Sequence, residues 1–357
     1  MRDSYSQILH RFGIISPSLR LCKEGDFLMI EVNNLSKKYD SSYAVNDLSF
    51  IIEKGKIYGL LGANGAGKST TMNMLTGYLA PSSGTILIDG IDILKNPIKA
   101  KEKIGYLPEI PPLYTDMTVY EYLKFVSELK HVKRVKIKEE IENVAKKVGL
   151  SPVLDSLIKK LSKGYKQRVG LAQALIGNPE IIILDEPTVG LDPVQIVEIR
   201  NLIEGLRDEH TVILSSHILS EIESVCDQII IISKGHLVAM DSPQNLSKKS
   251  QGKNIVEVEI KGNKTAVGNM LNTIPSVEKI EFREDGSILV ESADDIREDI
   301  FYQCVKENMP ILMLKSDMAS LEDVFLELTS DDGLASSDDT LDSEYLNDTD
   351  NENKEEE

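Results

Sequence analysis

A glycine-rich stretch between residues 59 and 71, GLLGANGAGKSTT, contains residue types that bind phosphate. It fits the spacing G-x-x-x-x-G-K-[ST], follows an apolar strand-like run and opens a predicted helix. The glycines let backbone N–H groups turn towards phosphate oxygens, and the helix N-terminus adds a positive dipole end. The stretch predicts a nucleoside triphosphate site in which Lys68 reaches the β and γ phosphates and Ser69 ligates magnesium. The predicted contacting residues are Gly62, Ala63, Asn64, Gly65, Ala66, Gly67, Lys68, Ser69 and Thr70.

Two acidic residues follow a second apolar run, IIIL, at residues 181–184. A carboxylate at the end of a buried strand can hold magnesium directly or through water, so we assign Asp185 to the metal. Glu186 lies one residue further and can reach an attacking water as general base. Acidic residues also end strands at ordinary turns. The phosphate-binding stretch elsewhere in the chain favours the catalytic interpretation.

A second anion site is predicted in LSKGYKQRVGLAQAL, residues 161–175. Ser162 and Gly164 stand at the N-terminus of a helix whose apolar face includes Val169 and Ala172. A hydroxyl, free N–H groups and a dipole end therefore point outwards together. One chain rarely needs two phosphate cradles that face different ways. We expect the second one to close over the nucleotide of another copy.

Strand-like and helix-like segments alternate from Met29 to about Ser250, which predicts an α/β fold with a largely parallel sheet covered by helices. Apolar strands are predicted at IYGLLG, GTILIDG, IIILD, TVILSS and QIIIIS. Helical spacing covers residues 69–79. Thr118 and Glu121 form a predicted capping box ahead of another helix.

The chain is predicted to divide into four parts: residues 1–28, 29–250, 251–330 and 331–357. The first is predicted to be a flexible extension, and the second is the α/β domain that contains the motifs described above. The third has the pattern of a small α+β domain with a split βαβ order, ending in a helix that opens at Ser320. Twelve acidic residues and one lysine in the fourth part predict a disordered tail.

Composition limits the functional classes. The formal net charge is −18, of which −11 comes from the acidic tail, so no basic face for nucleic acid is expected. The three cysteines, at positions 22, 226 and 304, are widely separated and suit a reducing cytosol. The apolar runs are far shorter than the roughly 18 residues that cross a bilayer. A membrane connection would therefore come through a partner.

With these motifs in this order, residues 29–250 resemble the nucleotide-binding subunit of an ATP-binding cassette (ABC) transporter. The resemblance implies that residues 29–250 form an ABC ATPase domain of the P-loop NTPase fold, with a mixed, largely parallel sheet and a helical subdomain. Such a domain uses ATP and magnesium. The resemblance identifies residues 62–69 as the Walker A loop, 182–185 as the Walker B strand and 161–168 as the signature motif. It further implies adenine stacking on Tyr39, catalysis by Glu186, a γ-phosphate contact from His217 and a loop between protomers that includes Asp192.

Two motifs depart from the usual family pattern. Glu109 stands where the family most often has glutamine, which adds negative charge near the phosphates but still allows contact with magnesium or water. Lys163 and Tyr165 replace the usual glycine and glutamine of the signature. Such variants are similar to export-type cassettes that carry a small C-terminal domain, including multidrug and gliding-motility exporters.

The resemblance implies a subunit that dimerises head to tail on ATP and drives export through a separate membrane permease. Its partner in the dimer is an identical chain or a second ABC subunit, and it would lie in the cytoplasm on the inner face of the membrane. The alternative is a soluble ABC ATPase that acts on ribosomes or DNA. Those types carry two cassettes or a long coiled coil, and neither pattern is present. A regulatory module without turnover is disfavoured by Glu186 and His217.

Overall fold

The computed structural model describes residues 28–250, 254–283, 286–292 and 294–317, together with residues 322, 325 and 326. The predicted N-terminal extension, apart from Leu28, and the predicted acidic tail lie outside the described residues. So does most of the helix predicted to open at Ser320.

The strands are β1 (Leu28–Tyr39), β2 (Ser42–Glu53), β3 (Ile57–Leu61), β4 (Ser83–Ile88), β5 (Ile91–Asp92), β6 (Ile104–Leu107), β7 (Ile181–Leu184), β8 (Thr211–Ser216), β9 (Gln228–Ser233), β10 (His236–Asp241), β11 (Asn254–Ile260), β12 (Val277–Phe282), β13 (Ile288–Ser292) and β14 (Ile311–Asp317). The helices are α1 (Lys68–Leu75), α2 (Pro97–Glu102), α3 (Val119–Leu129), α4 (Ile137–Lys147), α5 (Lys163–Leu175), α6 (Pro193–Glu204), α7 (Leu219–Val225), α8 (Pro243–Ser250), α9 (Lys264–Leu271) and α10 (Arg297–Lys306).

A six-stranded sheet in the order β10-β9-β3-β8-β7-β6 forms the centre of the ATPase part. Its neighbouring strands pair in parallel except β10, which runs antiparallel to β9 at one edge. Successive residues of a strand point to opposite faces, and both faces here are covered. Ile181 and Ile183 join one hydrophobic core, whereas Ile182 and Leu184 join the other. The predicted mixed, largely parallel sheet is confirmed.

Four loops that carry predicted site residues begin at the carboxyl ends of the central strands. In the order β3, β8, β7 and β6, the strands end immediately before Gly62, His217, Asp185 and Pro108. Because the carboxyl ends of parallel strands meet at the same edge, residues that are far apart in the chain become neighbours. The strand order therefore assembles the site.

A separate antiparallel sheet, β2-β1-β4-β5, covers one face of the central sheet. Its apolar residues share a core with α1 and with alternate residues of the central strands. The predicted helix at residues 69–79 ends earlier, at Leu75, because the chain turns at Gly77 with φ of 65°. A left-handed glycine after the last turn is a common helix stop.

Helices α3, α4 and α5 form the predicted helical subdomain on the other face, within the first core. Thr118 caps α3, and its hydroxyl accepts from the N–H of Glu121, whose carboxylate accepts from the N–H of Thr118 in return. The capping box predicted from the sequence is confirmed.

The C-terminal end of α5 is fixed to its surroundings. Gly105 of β6 lies so close to the carbonyl of Ala174 that a Cβ atom would collide with it. The ammonium of Lys130, just after α3, donates to the carbonyls of Gln173, Ala174 and Ile176 at 3.0, 3.1 and 2.7 Å. These carbonyls belong to the last turn of α5 and the residue that follows it, so α3, β6 and α5 are joined at one place.

Residues 254–317 contain a four-stranded antiparallel sheet in the order β12-β13-β11-β14, with α9 and α10. Strand β13 lies between β11 and β12, which is the split βαβ order expected from the sequence. This part has a core of its own, built around Val256, Val258, Val290 and Ile300. Phe325, near the end of the described residues, packs instead against the first core of the ATPase part.

Candidate nucleotide-binding site

The loop between β3 and α1 has the backbone that a phosphate cradle requires. Gly67 is the N-cap of α1 and has φ of 107°, and Gly65 has φ of 82°. A Cβ at Gly67 would lie 2.5 Å from the carbonyl oxygen of Ala44, and one at Gly62 would lie 2.5 Å from that of Ile232. The glycines are therefore needed both for the turn and for close backbone packing. The first turn of α1 holds no acidic residue, which leaves its N-terminus free for an anion.

Lys68 connects this loop to Glu186, the predicted catalytic carboxylate. Its side chain is buried, and its ammonium donates to the carbonyl of Gly62 at 2.8 Å and to that of Ala63 at 3.4 Å. The same nitrogen lies 3.8 Å from Oε1 of Glu186. The cation predicted to meet the γ phosphate thus lies beside the carboxylate predicted to act on water.

Glu186 is held by both its backbone and its side chain. Its φ of 48° is in the left-handed region, which is uncommon for a residue with a side chain. Its N–H donates to Oγ of Ser215 at 2.9 Å, and Ser215 donates in turn to Oδ1 of Asp185 at 2.6 Å. One serine of the neighbouring strand therefore orients both acidic residues.

His217 lies 2.9 Å from Glu186, measured from Nδ1 to Oε2. An ionised carboxylate only accepts hydrogen bonds, so Nδ1 is the donor and Nε2 is free to face a substrate. The imidazole is partly exposed, whereas the carboxylate is buried. Glu186 thus contacts Lys68 on one side and His217 on the other, and the three predicted residues meet at one point.

Asp185 fits a hard divalent cation. Burial raises the pKa of its carboxyl, and the nearby charges of Glu186 and Glu109 raise the pKa further. A cation bound there would offset this concentration of negative charge. Ser69 is exposed in the first turn of α1, and hydroxyl and carboxylate oxygens are the ligands that magnesium prefers. The described residues contain no cluster of three or more His, Cys, Asp or Glu side chains placed to hold a metal ion.

The predicted second anion site begins α5. Ser162 is its N-cap and accepts from the N–H of Tyr165 at 3.4 Å. Gly164 packs so closely on Gln195 that a Cβ would lie 2.6 Å from the amide oxygen. Asp192 is the N-cap of α6 and accepts from the N–H of Gln195 at 2.9 Å. The structure thus places Ser162, Gly164 and Asp192 together, but no hydrogen bond or ion pair in the described part of the chain joins them to Lys68 or Glu186.

Two further predicted residues lie at the rim. Tyr39 ends β1 with 47% of its surface exposed, and the ammonium of Lys37 lies 5.5 Å from its ring centre. The ring is open to a stacking partner. Glu109 is exposed after β6 and acts on Asp185 through its charge.

Comparison with known proteins identifies this arrangement. A family profile described as ABC transporter matches residues 45–189. The bacitracin transport ATP-binding protein of Bacillus licheniformis is 36% identical, over 84% of this chain and 97% of that protein. The linearmycin resistance ATP-binding protein of Bacillus subtilis is 32% identical, over 84% of this chain and 98% of that protein. The chain belongs to the ATP-binding subunits of ABC transporters.

Solved structures agree with the ABC assignment. The ATP-binding subunit of an ABC transporter has a TM-score of 0.58 and 29% identity, covering 62% of this chain and 93% of that one. A dimeric cassette in a post-hydrolysis state, bound to ADP and Pi, has a TM-score of 0.56 and 25% identity, covering 60% and 98%. The ABC subunit binds and hydrolyses ATP. No comparison favours a ribosomal or DNA-directed role. No helix among the described residues is long and apolar enough to cross a membrane.

Sequence reasoning missed four residues that lie around the predicted acids, namely Ser215, Ser216, Thr188 and Glu221. Ser215 orients both Walker B acids, as described above, and Glu221 accepts from the hydroxyls of Thr188 and Ser216. The signal for Ser215 was two serines at the end of the apolar run TVILSS, because polar residues in a buried strand need partners. Thr188 and Glu221 gave no such signal, because they lie 33 residues apart in the chain and only the fold brings them into contact.

Proposed function

We propose that the chain dimerises head to tail on ATP and drives export through a separate membrane permease. The observation that carries the proposal is the position of Glu186, whose carboxylate contacts both Lys68 and His217. Nothing in a purely structural turn requires a buried carboxylate between a lysine and a histidine. Among the described residues, no hydrogen bond or ion pair joins Ser162 or Gly164 to this point, which suits a second copy that supplies them.

In this proposal the phosphate loop binds the triphosphate through backbone N–H groups, and Lys68 neutralises charge on the β and γ phosphates. Glu186 accepts a proton from the attacking water, and His217 fixes the orientation of that carboxylate while its Nε2 faces the γ phosphate. Tyr39 stacks on adenine. Ser69 and Asp185 would hold magnesium, which would neutralise developing charge on the phosphates.

The second half of each site comes from the other protomer. Its Ser162 hydroxyl and the N-terminus of α5 at Gly164 close over the γ phosphate, and Asp192 lies on the loop that crosses between protomers. Residues 109–130 transmit the motion to the permease, at the inner face of the membrane. The partner chain is an identical copy or a second ABC subunit.

The names of the relatives support export. They include bacitracin transport, linearmycin resistance and, in Streptococcus pyogenes, lantibiotic transport by a protein 39% identical over 62% of this chain and 95% of that protein. Antimicrobial compounds are therefore the first cargoes to test. Co-purification of the chain with a polytopic permease, followed by transport assays in vesicles, checks this part of the proposal.

The test of the catalytic assignment is Glu186→Gln. The amide can still position water but cannot accept its proton, so ATP hydrolysis should fall about a hundredfold or more while ATP binding is retained. The trapped ATP should hold two protomers together, visible as an ATP-dependent dimer in size-exclusion chromatography. Glu204→Gln, an exposed residue at the end of α6, is the matched control and should hydrolyse ATP normally.

A second change separates the two halves of the site. Ser162→Arg, introduced into the Glu186→Gln chain, places a bulky cation where the other protomer's γ phosphate must dock. It should abolish the ATP-dependent dimer and leave ATP binding at Lys68 unchanged. A folded Glu186→Gln protein that stays monomeric at saturating ATP, with or without its permease, would contradict head-to-tail assembly.

A further inference from the structure

A buried carboxylate outside the predicted site links its two catalytic loops. Glu221 lies in the first turn of α7 and is 7% exposed. Its Oε2 accepts from the hydroxyl of Thr188 at 2.7 Å and from that of Ser216 at 3.0 Å. Both hydroxyls are buried as well.

The two donors flank the catalytic pair. Thr188 comes two residues after Glu186, and Ser216 comes immediately before His217. Oγ of Ser216 also accepts from the N–H of Ile218 at 3.0 Å, so this hydroxyl stabilises the turn that carries His217. With the bond between Glu186 and His217, the contacts form a closed ring that runs through Glu221.

The burial of the Glu221 carboxylate costs free energy, which a residue with only a packing role would not need to incur. Its Oε1 is buried and has no hydrogen-bond partner in the part of the chain that the structure describes. No ion pair compensates its charge among those residues. A buried carboxylate without a cation is unfavourable, and an apolar side chain would fill the place without that cost. What the carboxylate provides is one acceptor that two separate loops share.

We propose that Glu221 is a positioning residue for ATP hydrolysis. It fixes the distance between the turn after Glu186 and the turn that carries His217, so that the carboxylate and the imidazole meet. This inference rests on the catalytic roles proposed above for those two residues. Thr188 also begins the turn that leads to Asp192, since its carbonyl accepts from the N–H of Leu191 at 3.2 Å. Through Thr188 and Ser216, Glu221 therefore connects the loop proposed to cross between protomers with the turn that carries His217.

The test is a series of full-length variants assayed for kcat and KM. Glu221→Ala should lower kcat by about 10- to 100-fold, because a shift of about 1 Å in a catalytic group costs up to about two orders of magnitude in rate. The KM for ATP should change by less than about threefold, since the phosphate loop is untouched. Glu223→Ala, an exposed glutamate on the same helix, is the matched control and should behave as wild type.

Two hydroxyl variants keep the test valid if Glu221→Ala does not fold. Thr188→Val and Ser216→Ala each remove one donor and should each lower kcat with KM retained. Combining Thr188→Val with Glu221→Ala should cause no further loss, because both changes break the same link. A folded Glu221→Ala protein with wild-type kcat would overturn the inference. The inference would also be overturned if the loss of kcat in the Thr188→Val, Glu221→Ala double variant equalled the product of the two single losses.

Glu186→Gln in the same series separates this inference from the proposed function. If Glu186→Gln hydrolyses ATP as fast as wild type, the catalytic assignment fails, whatever Glu221 does. If Glu186→Gln is slow and the Glu221 and Thr188 variants are normal, the positioning role of Glu221 alone is wrong.

Discussion

At the scale of single residues, the site depends on unusual backbone held in place by polar contacts. Glu186 adopts a left-handed conformation that costs about 1 kcal/mol or more for a residue with a side chain. Its N–H is bonded to Ser215 and its carboxylate to His217. These bonds hold the carboxylate at the edge of the sheet, where Lys68 can reach it. The strain is thus located where the chemistry is proposed to occur.

Two glycines of the phosphate loop allow a controlled comparison. Gly65→Ala adds a methyl group in open space at a positive φ, so it should lower the free energy of unfolding by about 1 kcal/mol. Gly67→Ala adds the same strain and also a collision with the carbonyl of Ala44, so it should cost about 3 kcal/mol. Urea denaturation measures both values. Equal costs would show that the packing against Ala44 is unimportant.

The site residues that the sequence predicted belong to short motifs, in which the spacing along the chain indicates the chemistry. Residues 62–69 and the pair Asp185 and Glu186 could be read locally, and the structure brings Lys68 and Glu186 together. Their catalytic and binding roles remain predictions. Glu221 could not be found in this way, because its importance comes from two hydroxyls on separate loops.

At the scale of helices and strands, local signals predicted the elements better than their partners. The capping box at Thr118 and the apolar run at residues 181–184 placed α3 and β7 correctly. The separate antiparallel sheet that contains β1, β2 and β4 was not foreseen. Strand alternation shows which side of a strand is buried, but pairing is decided by distant segments. The sheet order therefore needed the structure.

The link between α3 and α5 should respond to pH. Burial lowers the pKa of Lys130 to about 8, whereas an unfolded lysine titrates near 10.4. The folded state therefore favours the neutral amine, and this stabilisation is fully present above about pH 10.4. It is lost as the pH falls to about 8, so the free energy of unfolding should rise as the pH is raised from about 8 to about 10.4. From pH 7.5 to 9.5 the rise should be at most about 2 kcal/mol, because the three carbonyls favour the charged form.

Denaturant unfolding at the two pH values checks this in variant pairs. Lys130→Met should lose the rise, and Lys124→Met, which removes an exposed lysine of α3, should keep it. An equal pH dependence of the free energy of unfolding in Lys130→Met and wild type would show that folding does not lower the pKa of Lys130.

At the scale of the whole molecule, residues 254–317 have a sheet and a core of their own. We propose that the boundary near Ser250 separates two folding units. Removing residues 251–357 should leave ATP affinity within about twofold, or roughly 0.4 kcal/mol, because the phosphate loop lies in the other unit. It should lower the free energy of unfolding by about 1 kcal/mol through loss of Phe325, and it should weaken coupling to the permease.

The matched control removes residues 327–357 only, which leaves Phe325 and the small sheet in place. This shorter truncation should bind ATP, unfold and transport as the full chain does. Loss of ATP binding in the longer truncation would show that the two units fold as one. Full transport activity in that truncation would show that the small domain is dispensable.

Because α5 is fixed at its last turn by Gly105 and Lys130, that end would be the pivot of any tilt of the helix. Its 13 residues span about 20 Å at roughly 1.5 Å per residue. A tilt of about 5° at the pivot moves Ser162, at the far end, by nearly 2 Å, which is more than half the length of a hydrogen bond. The pivot also carries the end of α3, so a small displacement of that helix would become a larger one where the second protomer's nucleotide would be met.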